Sequence, residues 1–287
     1  MPPRGPLRTR RRLLAGLASA AVLAPAAGVR AAVRKPARPW RLAVVPQLTA
    51  GEMYRNWSPV VDALAQAGVP CELSIHPSIA RFEPEFLQGK ADLVFLNPYH
   101  MVMAYRAHGY APLLRDRRPL EGLLLVAQDS PVQSLAQLQG RRISFPAPNA
   151  LAASLYIRAM LEKTLRLRYE AHYASTHSNA LRQVLAGDSV AAGVVRTTFE
   201  LEAPEIRQRL RVLYATPALA PHPLAAHPRL PQPVRQTVHE VFLALARDPV
   251  QAAALKGIPM PDPQPADYRR DYAPLGLLGL ERFVVSS

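Results

Sequence analysis

The chain has 287 residues, with 35 Lys and Arg against 21 Asp and Glu, so its formal net charge is +14 at pH 7. Residues 1–31 hold six arginines and no acid, which leaves +8 on the remainder without a long basic run. Nucleic-acid-binding proteins usually concentrate positive charge on one stripe, which argues against that class, whereas a diffuse positive field favours small anions. Cys71 is the only cysteine, which excludes an intrachain disulfide and a cysteine-based metal site.

The amino terminus has the layout of an export signal. Residues 9–14 read Thr-Arg-Arg-Arg-Leu-Leu and lead into an apolar run that reaches Ala27. The adjacent arginines are typical of a twin-arginine signal, so we expect the protein to be exported folded to the periplasm. The run of about 15 residues is shorter than the roughly 20 that a membrane-spanning helix needs. We predict a signal peptide over residues 1–31 with cleavage after Ala31; Ala24–Ala26 offers a second cleavage site.

Short apolar strands alternate with helical patterns along the rest of the chain. Strands are predicted over residues 41–46, 71–76, 91–96, 123–128, 142–145, 169–173, 190–195 and 210–214. Helices are predicted over residues 57–66, 83–88, 98–108, 135–138, 150–165, 179–186 and 234–246. This alternation favours an α/β fold with parallel sheets and helices on both faces.

Two runs of this alternation predict two lobes, each a mixed, mostly parallel sheet flanked by helices. We place lobe 1 at residues 40–128 plus 216–287 and lobe 2 at residues 129–215, because we expect the late helix after Pro231 to pack back on lobe 1. Ligands of such sheets bind beyond the carboxyl ends of the strands. In a two-lobed protein those ends can face each other across a cleft.

The first candidate site lies where the strand 91–96 meets the next helix. Asn97, Pro98 and Tyr99 follow this strand at once, and Pro98 suits a first helical turn. The Asn97 amide, the free helix N–H groups and the Tyr99 hydroxyl would suit an oxyanion. Alternatively, Asn97 caps the helix and Tyr99 is a packed side chain.

Three further positions at strand ends could bind an anion. Asn149 precedes the helix 150–165, either as a cap alone or beside free backbone N–H groups. His177 and Ser178 lie in a polar run that opens another helix, although His177 could equally be a structural histidine. Arg196 ends the strand 190–195, and its guanidinium matches carboxylate or phosphate-type oxyanions, or is simply a surface group.

The chain resembles the PhnD-like periplasmic substrate-binding proteins, which serve ABC importers of phosphonate, phosphite and related oxyanions. The resemblance is carried, in this order, by Val44–Pro46, Gly89–Tyr99, Gln137–Ile143, Thr176–Leu181 and Ala186–Gly193. It implies a type II periplasmic binding fold that closes on its ligand. It also implies that the pocket contains Asn97, Tyr99, His177 and Ser178, with Tyr54 as a further candidate.

Two departures from the family pattern bear on the ligand. The family's Ser-Thr-Ser run falls here on residues 149–152, Asn-Ala-Leu-Ala, with Ser154 one turn further on. Where aminoalkyl-phosphonate binders tend to carry an acid late in lobe 2, this chain has Gly193-Val-Val-Arg196. Because Arg196 would repel an amine, we expect a compact anion such as phosphate, phosphite or an organic acid rather than an aminophosphonate.

These observations predict a binding protein that captures a small oxyanion for an ABC permease in the inner membrane. We expect it to act as a monomer without a cofactor. An alternative is a periplasmic subunit of the same fold that reports its ligand to a membrane sensor kinase. An enzyme is disfavoured, because the sequence has no metal-spaced histidine cluster, Gly-x-Ser-x-Gly motif or phosphate-binding loop.

Overall fold

The computed structural model describes residues 38–285 together with Met1, so the predicted signal peptide falls outside the region it describes. Within this region the first sheet contains six strands: β1 (Trp40–Val44), β2 (Cys71–Ile75), β3 (Leu93–Phe95), β4 (Ala111–Asp116), β10 (Pro223–Ala226) and β11 (Pro263–Pro265). The second contains five: β5 (Gly122–Ala127), β6 (Arg142–Phe145), β7 (Glu170–Tyr173), β8 (Ala191–Val195) and β9 (Leu210–Ala215). Their orders are β11-β4-β10-β3-β1-β2 and β7-β6-β8-β5-β9.

Both sheets are mixed. In the first, β1 pairs in parallel with β2 and β3, whereas β10 and β4 run antiparallel to their neighbours. In the second, β6 pairs in parallel with β7 and β8, and β5 runs antiparallel to β8 and β9. Fewer pairings are parallel than we expected, because strands β4, β10 and β11, which the sequence patterns did not reveal, fill one side of the first sheet.

Helices flank both sheets. They are α1 (Ala50–Gln66), α2 (Ile79–Phe82), α3 (Pro84–Leu87), α4 (Pro98–His108), α5 (Tyr156–Ala159), α6 (His177–Leu185), α7 (Arg196–Glu200), α8 (Pro204–Arg207) and α9 (Gln232–Arg247). Helix α1 begins seven residues before the predicted start at 57 because Thr49 and Glu52 form a capping box. Val234 and Phe242 of α9 pack in the core of the first sheet. In the region described, no helix is both long and apolar enough to cross a bilayer.

One helical segment contributes to the cores of both sheets. It consists of the π-helical turn Leu151–Leu155, α5 and the π-helical turn Met160–Thr164, and we call residues 151–164 the bridging helix. Leu151 and Leu155 pack in the core of the first sheet, whereas Ile157 and Leu161 pack in a core of the second. The bridging helix therefore ties the two sheets together.

Glycines let the bridging helix approach the second sheet closely. A Cβ atom on Gly122 would lie 2.0 Å from the carbonyl oxygen of Ala152, and one on Gly193 would lie 2.1 Å from that of Ala153. Both distances are far below van der Waals contact, so the absence of side chains at 122 and 193 fixes how near the helix sits to β5 and β8.

The chain crosses between the sheets twice, over residues 117–121 and 216–222. The crossings lie side by side, because Leu120 and Leu219 exchange backbone hydrogen bonds of 2.8 and 2.9 Å. Strand β5, which the sequence analysis assigned to lobe 1, pairs in the second sheet. The sequence pattern marks this strand but does not show which sheet it joins.

Candidate functional site

Asn97 lies at the carboxyl edge of the first sheet, just beyond β3. Its Oδ1 accepts a hydrogen bond from the backbone N–H of His100 at 2.9 Å, which caps α4. Its Nδ2 donates to Nδ1 of His100 at 3.0 Å and to the carbonyl oxygen of Asn149 at 3.4 Å. Asn97 is therefore both a helix cap and a link between the two sheets, and these bonds use both protons of its amide.

His222 occupies the same edge, although the sequence analysis gave it no role. It precedes β10, which runs antiparallel to β3, and its ring stacks on Phe95 with centroids 5.7 Å apart. Nε2 of Gln47, just beyond β1, lies 3.3 Å from Nε2 of His222. Burial lowers the pKa of His222 to about 3, and protonation of the nearby His100 or His177 acts in the same direction.

The two tyrosines of the predicted site lie elsewhere. Tyr99 is buried, and its hydroxyl faces Glu281 near the carboxyl terminus. Burial raises the pKa of Tyr99, and the charge of Glu281 raises it further. Tyr54 projects from α1 with 62% of its surface exposed. The structure therefore brings neither hydroxyl to Asn97.

His177 is the first residue of α6, at the carboxyl edge of the second sheet. Its Nδ1 accepts a hydrogen bond from the backbone N–H of Val195 at 3.4 Å. Burial lowers the pKa of His177 to about 4, so the ring is neutral at pH 7 and carries its proton on Nε2. The neighbouring Ser178 donates its hydroxyl proton to Glu202. Of this pair, His177 is the residue with a donor that the described residues leave free.

Arg196, just beyond β8, is paired with an acid. Its Nε lies 2.7 Å from Oε2 of Glu121, and its backbone N–H donates to the carbonyl oxygen of Glu121 at 2.9 Å. Acids therefore lie beside two of the predicted binding residues, Arg196 and Ser178. Glu121 arrives with β5 and Glu202 with the residues after α7, both distant in sequence from the groups that they meet.

Asn149 lies before the bridging helix, but its side chain does not cap it. Nδ2 donates to the carbonyl oxygen of Val285 at 3.0 Å, and Oδ1 accepts from the backbone N–H of Val285 at 3.0 Å. The residue at the cap position is Ala150, which has no side-chain acceptor. No described side chain therefore accepts from the first N–H groups of the bridging helix, which lie at a buried, positive helix end.

Sequence reasoning also missed Arg158, the one arginine that is buried in the part of the chain that the structure describes. It lies two turns into the bridging helix, yet its Nη1 donates to the carbonyl oxygen of Pro148, ahead of that helix, at 3.1 Å. Its guanidinium carbon lies 5.9 Å from the centroid of the Tyr173 ring at the end of β7. No sequence signal distinguishes it from a surface arginine of a helix. Among the residues described, no group of three or more His, Cys, Asp or Glu side chains could hold a metal ion.

A comparison with protein families finds one match. A family model described as ABC transporter, phosphonate, periplasmic substrate-binding protein matches residues 42–272, most of the chain. No sequence among curated proteins matches the chain.

Solved structures share this fold at low sequence identity. XAC2383 from Xanthomonas citri, bound to chloride, is 18% identical with a TM-score of 0.74, over 85% of this chain and 98% of its own. PhnD1 from Prochlorococcus marinus, in complex with methylphosphonate, is 13% identical with a TM-score of 0.73, over 85% and 97%. PA3383 from Pseudomonas aeruginosa, a binding protein component of an ABC phosphonate transporter, is 17% identical with a TM-score of 0.71, over 86% and 88%. At these identities the likeness establishes the type II periplasmic binding fold.

Proposed function

The chain belongs to the family of periplasmic substrate-binding proteins of phosphonate ABC transporters, and we propose from this membership that it captures a small oxyanion and delivers it to an inner-membrane permease. Members of this family are binding components of transporters rather than enzymes. The observation that carries the proposal is the uncapped, buried amino end of the bridging helix, beside the link between Asn97 and Asn149.

The donors available at this place suit an oxyanion. The first-turn N–H groups of the bridging helix and the helix dipole favour negative charge. Nε2–H of His177 adds a donor from the second sheet, and the buried ring of His222 lies at the carboxyl edge of the first sheet. In this proposal Asn97 and Asn149 position the two edges, because their amide groups are already bonded within the chain.

Two lobes that meet at the paired crossings support capture by closure. We propose lobes that follow the two sheets, with the antiparallel contact of Leu120 and Leu219 as the hinge. Backbone rotation in a few crossing residues could then change the distance between the two carboxyl edges. The link from Asn97 to Asn149 spans the sheets and would stabilise the closed arrangement.

The acids at the second edge widen the ligand class. Glu121 neutralises Arg196, and Glu202 lies against Ser178, so an amine would meet carboxylates as well as a guanidinium. The argument against an aminophosphonate therefore loses its physical basis. We propose phosphonate, phosphite or phosphate as the anion, with or without a short amino group.

Titration calorimetry of the purified protein tests this proposal. The panel is phosphite, phosphate, methylphosphonate, 2-aminoethylphosphonate and methanesulfonate. We expect micromolar binding of at least one phosphorus oxyanion, since a few charge-assisted hydrogen bonds of about 1.5–3 kcal/mol each are enough for about −8 kcal/mol. His177→Ala should weaken that binding by roughly tenfold or more. Absence of heat and of a thermal shift with every anion would contradict the proposal.

We propose further that the protein reaches the periplasm by the twin-arginine route and works as a monomer. The motif at residues 9–14 supports the route. A reporter fused to residues 1–31 should be exported, and replacing Arg10 and Arg11 with Lys should abolish export. Export that survives this double substitution would remove the twin-arginine assignment.

A further inference from the structure

Arg158 is a buried cation that has no carboxylate within ion-pair distance among the described residues. The residue is 7% exposed and takes part in none of the ion pairs between described residues. The acid one turn further on, Glu162, accepts a hydrogen bond from the Tyr169 hydroxyl at 2.7 Å instead. Nε of Arg158 is buried, and no described residue offers it a hydrogen bond. Since burying an unpaired charge is costly, a missing anion would complete this environment.

The guanidinium lies close to the end of the helix where an anion would bind. Side chains in helices lean towards the amino end, and Nη1 of Arg158 reaches the carbonyl oxygen of Pro148, two residues before the cap position Ala150. The ring of Tyr173 places the same guanidinium beside the end of β7. The charge and the uncapped N–H groups therefore meet at the carboxyl edge of the second sheet.

Arg196, the cation predicted from the sequence, differs in both respects. Its side chain is 40% exposed, and its guanidinium is neutralised by Glu121 at 2.7 Å. Water screens an exposed pair and leaves little net field. Arg158 acts from a buried position, where its field is screened far less.

We propose that Arg158 is the specificity-determining counter-charge of the bound ligand and favours dianionic phosphorus oxyanions over monoanions of similar shape. This inference rests on the proposed function. The Pro148 carbonyl and the Tyr173 ring hold the guanidinium in place without cancelling its charge, so its full attraction is available to an anion at the helix end.

The test compares the wild type with Arg158→Gln and Arg158→Lys by calorimetry, using phosphate and methylphosphonate in mildly alkaline buffer and methanesulfonate as the monoanion. We expect Arg158→Gln to lose roughly tenfold or more of its affinity for the dianions and clearly less for methanesulfonate. Arg158→Lys, which keeps the charge, should retain most of the dianion affinity. The unliganded melting temperature of Arg158→Gln should stay equal or rise, because the variant removes an unbalanced buried charge.

Arg207→Gln, which removes an exposed arginine of α8, is the matched control and should bind as the wild type does. Wild-type affinity in Arg158→Gln, or an equal loss for all three anions with a lowered melting temperature, would show that Arg158 is only structural and overturn the inference. A wild type that binds no phosphorus oxyanion in the wider panel overturns the proposed function itself, and this inference with it.

Discussion

Two buried charged side chains in this protein, Asp92 and Arg158, differ in how many charged partners they have. Asp92, at the amino end of the first sheet, is completely buried and contacts Nη1 of Arg38 at 2.9 Å, Nε of Arg229 at 2.6 Å and the backbone N–H of Arg41 at 2.9 Å. Arg158, at the carboxyl edge of the second sheet, has one carbonyl and one aromatic ring.

The difference separates a charge that serves the fold from one that serves a ligand. Burial acts to raise the pKa of Asp92, but the backbone N–H of Arg41 and the two guanidinium groups outweigh it, and the pKa is lowered. The charge of this carboxylate is therefore balanced by residues of the chain itself. A group that the chain leaves incomplete at a strand-end site is the better candidate for binding. Variants at the amino end should therefore affect stability, and variants at the carboxyl edge should affect affinity.

The largest expected effect tests the structural side of this comparison. Arg229→Ala removes a partner of Asp92 and also its hydrogen bonds to the carbonyl oxygens of Lys90 and Ala91. Removing one partner of a buried ion pair typically costs about 3–5 kcal/mol, and we expect the lower part of that range because Arg38 remains. Urea unfolding measures this loss in the free energy of unfolding, and calorimetry should show unchanged ligand affinity.

Arg117→Ala provides the control, because Arg117 pairs with Asp262 at 2.7 Å while both side chains are more than half exposed. An exposed pair contributes at most about 1 kcal/mol. A loss for Arg229→Ala as small as that for Arg117→Ala would show that the cluster at Asp92 is not structural.

The second expected effect concerns the histidine at the carboxyl edge. Burial lowers the pKa of His177 to about 4 from its ordinary 6.5, so below pH 6.5 the unfolded chain binds a proton that the folded chain does not. Stability should be complete above pH 6.5, fall as the pH drops towards 4 and level off below it. At about 1.4 kcal/mol per pKa unit the change is at most about 3.5 kcal/mol.

Thermal unfolding of His177→Asn across this pH range measures the effect. Above pH 6.5 the difference in stability between the variant and the wild type should not change with pH. Below pH 6.5 the variant should lose less stability than the wild type. Parallel profiles for the two proteins would show that His177 titrates normally and is not enclosed as the structure has it.

Local sequence patterns predicted most helices and strands, whereas the contacts of the site residues depend on residues distant in sequence. Helix α4 was predicted at its observed bounds because Pro98 suits its first turn, and the structure shows that Gly109, with φ of 68°, ends it. Strand β11 was missed, because three residues that include Pro263 and Pro265 show no alternation. The strand-end junctions were found by their polar residues alone.

The partners of those junctions were not visible in the sequence. Glu121, Glu202 and Glu281 each come from another element and engage a predicted binding residue. Arg158 was not predicted at all, because its position within a helical pattern does not distinguish it from a surface arginine. Only the hydrogen bond of its side chain to Pro148 shows where its charge lies. Burial and pairing depend on tertiary contacts, which residue spacing does not encode.

The smallest expected effect tests whether the bridging helix must sit close to the second sheet for Arg158 to reach its place. In Gly193→Ala the new Cβ would lie 2.1 Å from the carbonyl oxygen of Ala153 and 2.6 Å from the Phe145 ring, so backbone must shift. Overpacking of this kind costs about 1–3 kcal/mol, and we expect about 2. Because the helix moves with its charge, ligand affinity should fall together with stability.

Gly51→Ala in α1, where the nearest atom is 3.5 Å away, should instead add up to about 1 kcal/mol of stability and leave affinity unchanged. If Gly193→Ala lowered stability but not affinity, the position of the Arg158 guanidinium would not matter to the ligand. The proposal that Arg158, unlike Asp92, acts in ligand binding would then be contradicted.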